Sequence, residues 1–359
     1  MAAIYQLVAG FSRGDAISNE AMVLRALFRG WGFDSRIFCE HRRILPELRS
    51  EAFDLNELRR GCKTEDTVVL HLSIGSQANE LFGELSAKKA ILYHNITPPE
   101  YFQLVQPSTA ADLARGRKQA AGLAGVAAVN LADSAFNARE LAAWGYPPAD
   151  VFPLMLDFEK LKGIPDRAVL RRFGDGKVNV LFVGRCAPNK KIEDVISAFA
   201  YFQKGVEPHS RLIVAGSYAG MERYHRLLVT MVRDLKLQDV VFTGSIPQSQ
   251  LNACYRSSHV FLCMSEHEGF CIPLIESLVH RVPVMAFSAC AVPETLNGAG
   301  LLFSGKKFEA IAEMMGRITR DPALRAALLV KQDQRVRQLM ARDLGQELRA
   351  HLAPLLGHS

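Results

Sequence analysis

The chain has 359 residues, 49% of them hydrophobic, and a formal net charge of +6. That is core enough for two domains of roughly 150–200 residues, and its basic charge shows none of the clustering of a nucleic-acid-binding face. Seven cysteines, at 39, 62, 186, 254, 263, 271 and 290, have no CxxC spacing. They read as small buried side chains in a cytosolic protein, with neither a disulfide frame nor a zinc site.

The amino terminus, MAAIYQLVAG, lacks a charged leader region and runs straight into a strand, so no signal peptide is expected. No apolar run reaches the ~18 residues of a membrane span. Residues 4–9 read as a strand and 16–31 as a helix. Strands follow at 34–38, 67–72 and 90–93, then a helix over 110–124 and a strand over 127–131. Residues 145–175, with paired prolines at 147–148, read as a linker. The pattern then restarts. Strands are expected at 179–183, 211–215, 240–242, 259–264 and 283–287, with helices at 191–203, 224–235, 248–257 and 272–280 between them. Residues 322–356 are helical by pattern.

Alternation of strand-period and helix-period runs argues for parallel sheets with helices on both faces. Two such arrays predict an α/β protein of two Rossmann-like doubly wound lobes, residues 1–165 and 166–339, with a terminal helix at about 340–359 packing back on the first. Ligands are expected at the carboxyl ends of the strands, in a cleft between the lobes. Residues 1–165 hold 18 Lys and Arg against 19 Asp and Glu, so the positive excess lies in the second half. A diphosphate-binding lobe would suit that bias; on charge alone, a solvated helical surface is the simpler account.

The most informative stretch is Ser265-Glu-His-Glu-Gly-Phe-Cys-Ile-Pro-Leu-Ile-Glu276, between a strand and a helix. Gly269, Phe270 and Cys271 make the turn, and Pro273 suits a first helical turn. The backbone N–H groups of Gly269 through Ile272, with the helix dipole behind them, would hold a diphosphate without a metal. Glu268 on the loop can accept hydrogen bonds from sugar hydroxyls, or merely cap the helix. Glu276, inside the helix, can reach a ribose diol. A second element, Phe182-Val-Gly-Arg-Cys-Ala-Pro-Asn-Lys190, follows the first strand of the second lobe. Gly184 permits a close approach there, and Arg185 and Lys190 would neutralise a leaving diphosphate. Gly216 and the Ser245–Ile246 backbone lie at two further strand ends, where plain turn chemistry explains them equally well.

In the first lobe the loop carrying Gly14 and Asp15 contains no GxGxxG, so a dinucleotide site is not indicated. His94 follows a strand and precedes a proline-containing loop, a position that suits function. His71 sits within a strand pattern and reads as core.

Taken together, these residues resemble retaining glycosyltransferase family 4, whose members have a two-lobed B-type fold. EGFCIPLIE looks like the family's paired-glutamate motif, GRCAPNKK like its Gly-Arg-x-x-Pro-x-Lys loop, and AVPETLNGAGLLF like its Pro-Glu turn. HLSIGS and YHNITP are similar to bacterial members that build lipopolysaccharide, capsule or exopolysaccharide. The resemblance implies transfer of a mannose- or glucose-type hexose from GDP-mannose or a UDP-hexose to a glycan or lipid-linked acceptor. It places Glu268 and His94 on the transferred sugar, Glu276 on the ribose, Arg185 and Lys190 on the diphosphate, and Ile246 by the base. Gly14 and Asp15 would lie by the acceptor. No DxD triplet occurs, which fits transfer with no metal and no cofactor beyond the nucleotide sugar. The family usually has glycine where this chain has His280-Arg281, so Arg281 is expected in a left-handed conformation or the turn differs. A cytoplasmic enzyme is expected, peripheral to the inner face of the plasma membrane if its acceptor is a lipid. The alternatives are a sugar-nucleotide epimerase or hydrolase, which would need acid/base carboxylates in the first lobe where no convincing pair is read, and a non-catalytic sugar-nucleotide-binding protein.

Overall fold

The computed structural model describes residues 2–356, which form two compact units. Unit 1 comprises residues 2–100, 108–156 and the described residues from 343 on; unit 2 comprises 101–107 and 157–342.

Unit 1 is built on strands β1 (Ala3–Leu7), β2 (Asp34–Cys39), β3 (Phe53–Asp54), β4 (Thr67–Leu72), β5 (Lys88–Tyr93), β6 (Val129–Ala132) and β7 (Asp150–Val151). They pair in parallel in the order β3-β2-β1-β4-β5-β6-β7. Unit 2 has β8 (Val178–Val183), β9 (Ser210–Ala215), β10 (Val240–Gly244), β11 (Val260–Cys263), β12 (Val284–Phe287) and β13 (Leu301–Phe303), parallel in the order β10-β9-β8-β11-β12-β13. Each sheet therefore reverses its strand order once, between β1 and β4 and between β8 and β11. Ligands of doubly wound sheets bind at the carboxyl ends beside that reversal.

The central strands form where the sequence is apolar on both faces. All six residues of β4 are buried, as a strand covered by helices on each side requires. Phe182, Leu212 and Leu262 from the second sheet pack with Ile196, Phe199 and Met315 from its helices, each such burial stabilising by roughly 1.5–3 kcal/mol. Three strands were not anticipated from sequence: β3, β7 and β13. All are edge strands of two or three residues, too short for any period to register.

Residues 145–175 are not a plain linker. They contain β7 and the helices Phe158–Leu161 and Arg167–Phe173. The chain joins unit 2 from residue 157 because that stretch is anchored on the helix Gln248–Arg256. The Asn252 side chain donates to the Gly163 carbonyl (3.1 Å) and the Asp166 amide to the Ser249 carbonyl (2.9 Å). Residues 322–356 form two helices, Pro322–Met340 and Leu344–Leu352, because the Asp343 side chain caps the second by accepting from the Gln346 amide (2.9 Å). Leu348 and Leu352 of that last helix pack with Ile4, Leu24, Phe28 and Phe152 in the core of unit 1. Arg281 does adopt the left-handed conformation (φ 57°). Among the described residues no helix is long and apolar enough to cross a membrane.

Candidate functional site

At the carboxyl ends of unit 2 the backbone itself forms a floor. The Gly184 amide donates to the Ala215 carbonyl (2.9 Å), the Gly216 amide to the Gly244 carbonyl (3.2 Å), and the Cys186 amide to the Ser217 carbonyl (2.9 Å). The ends of β8, β9 and β10 are thereby stitched together. A Cβ on Gly216 (φ 148°) would lie 1.9 Å from the Gly184 oxygen, so this approach requires glycine.

The loops that follow β8 and β11 meet on this floor. The Glu266 amide donates to the Asn189 carbonyl (2.9 Å), and the Asn189 side chain donates to the His267 carbonyl (3.0 Å). Lys190 and Glu268 thus come together, with Nζ donating to Oε2 at 2.6 Å. Glu268 is buried, whereas the Lys190 side chain keeps 22% of its exposure. Burial opposes the Lys190 charge, but the Glu268 carboxylate, helped by the nearby thiols of Cys271 and Cys263, outweighs it and raises the ammonium's pKa. A buried carboxylate needs such a partner. Glu268 does not cap the helix: the N-cap is Cys271 (φ 71°), without a side-chain cap bond, ahead of the helix Ile272–Val279. Of the first-turn residues, Leu274 donates its amide to the Cys271 carbonyl (3.1 Å) and Pro273 has no N–H to offer. Phe270 is buried behind the turn, its carbonyl accepting from the Thr295 hydroxyl.

Arg185 is exposed and donates to the Ala219 carbonyl (3.3 Å) on the loop after β9. Glu276 lies deeper. Its Oε2 accepts from the Tyr255 hydroxyl (2.7 Å), and burial raises its pKa although that hydrogen bond and Lys160 act against it. Ile246 follows β10 two strands from the reversal, beyond Gly244 and the ring of Tyr218. Arg185, Lys190, Glu268, Gly269, Phe270, Cys271 and Ile272 therefore sit on the two loops flanking β8 and β11, with Gly216 beside them, and Ile246 and Glu276 stand at the margins.

In unit 1, Asp15 is the N-cap of the helix Ala16–Gly30, accepting from the Ser18 amide (2.8 Å) and hydroxyl (2.7 Å). Gly14 before it is left-handed (φ 73°) with open space where a side chain would stand. His94 belongs to a buried chain of polar groups that sequence reasoning missed. Gln6 donates its amide to the Ala21 carbonyl (3.0 Å), which leaves its oxygen to accept from His71 Nε2 (2.9 Å). His71 Nδ1 must then accept from His94 Nε2 (2.9 Å), while His94 Nδ1 donates to the Asp133 carboxylate (3.0 Å). Both His94 nitrogens carry protons, which makes the ring an imidazolium. Burial works against that charge, but Asp133, Glu20 and Asp15 together lift its pKa to about 9. Burial and the facing His94 hold His71 well below the usual range. Glu20 Oε1 accepts from the Met155 amide (3.1 Å), whereas Oε2 has no hydrogen-bond partner and lies 3.6 Å from His94 Nε2. Burial pushes Glu20 up to about 7, with His94 pulling it back. First-lobe carboxylates beside a histidine do exist, contrary to the sequence reading. The available signal was Glu20 on the apolar face of its helix, in step with Ala21, Leu24 and Phe28.

Residues 167–334 match the family Glycosyl transferases group 1. The matched stretch covers most of unit 2. Curated relatives include an O-antigen chain mannosyltransferase B of Escherichia coli, 26% identical over 40% of this chain and 38% of its own length. A GDP-mannose-dependent alpha-mannosyltransferase of Mycobacterium tuberculosis is 30% identical over 50% of this chain and 44% of its own. The matches thus span about two fifths of those relatives' lengths. Among solved structures, sucrose-phosphate synthase from Thermosynechococcus elongatus superposes with a TM-score of 0.78 at 17% identity, over 100% of both chains. Anabaena HepE in complex with UDP and glucose gives 0.74 at 15%, over 99% of this chain and 100% of that one. These share the fold: paired Rossmann-like sheets of the glycosyltransferase B type.

Proposed function

We propose that the protein is a retaining hexosyltransferase that takes a mannose- or glucose-type hexose from a nucleoside diphosphate sugar, GDP-mannose foremost. It passes the sugar to a glycan or lipid-linked acceptor of bacterial surface polysaccharide synthesis. The observation that carries this reading is the Lys190–Glu268 ion pair beside a helix start without a side-chain cap, at the strand-order reversal of unit 2. The mannosyltransferase relatives support the donor.

On this reading the diphosphate caps the helix at residues 269–272 and draws Lys190 and Arg185 to itself. Glu268, released from Lys190, accepts from sugar hydroxyls. Glu276 exchanges Tyr255 for the ribose diol, and Ile246 and Gly216 border the base. His94, expected from sequence to contact the transferred sugar, has both N–H groups engaged on His71 and Asp133 and is left a positioning role, while Gly14 and Asp15 flank the acceptor. Transfer forms the acceptor O–C1 bond and breaks the C1–O(phosphate) bond on the same face, with the acceptor proton passing to the leaving phosphate. The cationic groups stabilise charge as it develops there, so neither a protein nucleophile nor a diphosphate-bound metal is required. The enzyme would work on the cytoplasmic face, where nucleotide sugars are held.

One observation favours the second reading, an epimerase or hydrolase: Glu20, His94 and Asp133 form an acid/base set. Their side chains are only 1–3% exposed and His94 is already bonded to Asp133, which leaves them poorly placed to reach a substrate. A thermal-shift panel of nucleotide sugars, followed by donor turnover with and without acceptor, tests both. The transferase reading expects GDP-mannose to stabilise most and turnover to require an acceptor, with the product's anomeric configuration retained. Turnover without acceptor, or stabilisation by no nucleotide sugar, would sink it.

A further inference from the structure

Sequence spacing gave the cysteines no role, yet the turn after β11 folds two of them onto one point. The sulfurs of Cys263 and Cys271 and a carboxylate oxygen of Glu268 all lie within 4.8 Å of one another, and all three residues are buried. Cys263 ends β11 and its sulfur lies 3.4 Å from the Ser265 hydroxyl; Cys271 opens the following helix. The second observation concerns the backbone. Cys271 stands at φ 71°, a conformation that strains a side-chain-bearing residue and that glycine adopts freely. The chain holds a thiol where glycine would be unstrained, and that thiol faces a second thiol and a carboxylate.

Glu20, His71 and His94 are the other such convergence among the described residues. There the ring planes are within 11° of parallel and the centroids 5.1 Å apart, with the facing nitrogens at 2.9 Å. The rings meet edge to edge and a shared proton fills the place between them. Sulfur imposes no such direction.

We propose that Cys263, Cys271 and Glu268 bind one thiophilic divalent cation of the Zn²⁺ class, in competition with the nucleotide sugar. Thiolate sulfur selects such metals over Mg²⁺ or Ca²⁺, and three protein ligands leave a fourth tetrahedral position for water. Binding releases the two thiol protons to solvent. Two thiolates and one carboxylate then face the dication and the Lys190 ammonium, so the formal charges of the buried group cancel, as low-dielectric surroundings demand. The cation withdraws Glu268 from the sugar and braces the 263–271 loop against movement. The competition rests on the donor reading given above; the cation site itself does not.

The test titrates the reduced, full-length protein with Co²⁺. The expected result is one equivalent bound, with a thiolate charge-transfer band and tetrahedral d–d bands, all displaced by Zn²⁺. Cys263→Ser should weaken binding at least about tenfold. A readout that needs no variant is alkylation of the wild-type protein followed by mass spectrometry. Zn²⁺ should protect Cys263 and Cys271, and a chelator should restore their labelling. Absence of the thiolate band, an unchanged band in folded Cys263→Ser, or labelling indifferent to Zn²⁺ overturns the site. Added GDP-mannose should release the Co²⁺. If the bands form normally and GDP-mannose leaves them intact, the site stands and competition with the donor is refuted.

Discussion

Both sheets carry a knot of buried charge near the place where their strand order reverses, and the two knots are wired in opposite ways. In unit 1, His94 spends both of its N–H groups inside the protein, on His71 and Asp133, and its side chain is 3% exposed. In unit 2, Lys190 and Glu268 have chiefly each other, Lys190 stays partly exposed, and the adjoining helix start has no side-chain cap. The first arrangement is closed and contributes rigidity. The second is balanced without a ligand and can exchange partners when an anion arrives. On the proposed reading, the same ingredients, strand ends and charged side chains, would serve a scaffold in one lobe and recognition in the other.

The largest effect should come from disturbing the exchangeable pair. Lys190→Met leaves Glu268 as a buried carboxylate without its partner and removes a cation from the proposed diphosphate site. We expect kcat/KM for nucleotide sugar transfer to fall about 10²–10³-fold, and the Lys190→Met/Glu268→Gln double variant to lose much less than the sum of the singles. Steady-state kinetics of the four proteins checks this, and simple additivity would break the proposed coupling. Next is Gly216→Ala, whose Cβ meets the Gly184 oxygen at 1.9 Å. Because the obstacle is backbone, the strands must part, at a cost of about 3 kcal/mol in urea unfolding.

The loop pairing that sets up this contrast was only half legible in the sequence. GRCAPNKK and EGFCIPLIE each announced a strand end followed by a helix, and parallel order then obliged both to emerge on the same edge of one sheet. What a linear pattern could not supply was contact between side chains far apart in the chain. Lys190 and Glu268 are 78 residues apart, and Glu276 finds Tyr255 on a neighbouring helix. His71 did read as core and is fully buried, but its two hydrogen bonds link β1, β4 and the residue after β5, a relation only the sheet creates. Cys263 and Cys271 looked inert because zinc motifs are recognised by spacing, whereas here a left-handed turn brings the sulfurs together. The short edge strands escaped for a simpler reason: two or three residues have no periodicity.

Stability against pH offers a sharper view of the closed cluster. Glu20 and His94 both bind a proton more tightly folded than unfolded, with folded pKa values of about 7 and about 9 against ordinary values of 4.5 and 6.5. His71, held low in the fold, takes up a proton on unfolding below about pH 6.5 and offsets Glu20 there, so the unfolded chain holds fewer protons, and unfolding free energy declines, between about pH 6.5 and 9. Glu20's own contribution runs from about pH 4.5 to about 7, and relative to the wild type Glu20→Gln should remove roughly 1–3 kcal/mol of pH-dependent change there. Urea midpoints for both proteins at a series of pH values decide the matter. A wild-type midpoint that climbs between about pH 6.5 and 9 would show that unit 1's cluster is not protonated as its hydrogen bonds require.

The smallest effect separates two roles that the sequence left superimposed on one residue. Asp15 was singled out as an acceptor neighbour, and the structure makes it the N-cap of the Ala16–Gly30 helix. A cap needs only a short side-chain oxygen, so Asp15→Ser should keep nearly all stability, while Asp15→Ala should lose about 1 kcal/mol. An acceptor contact needs the carboxylate. If Asp15 serves the acceptor as well, Asp15→Ser will fold like the wild type and still raise the acceptor's KM while leaving the donor's unchanged. If capping is its whole duty, Asp15→Ser will be kinetically indistinguishable from the wild type. Unit 1's sheet edge would then resemble its buried cluster throughout: polar groups engaged with one another, with the ligand-binding charge left to unit 2.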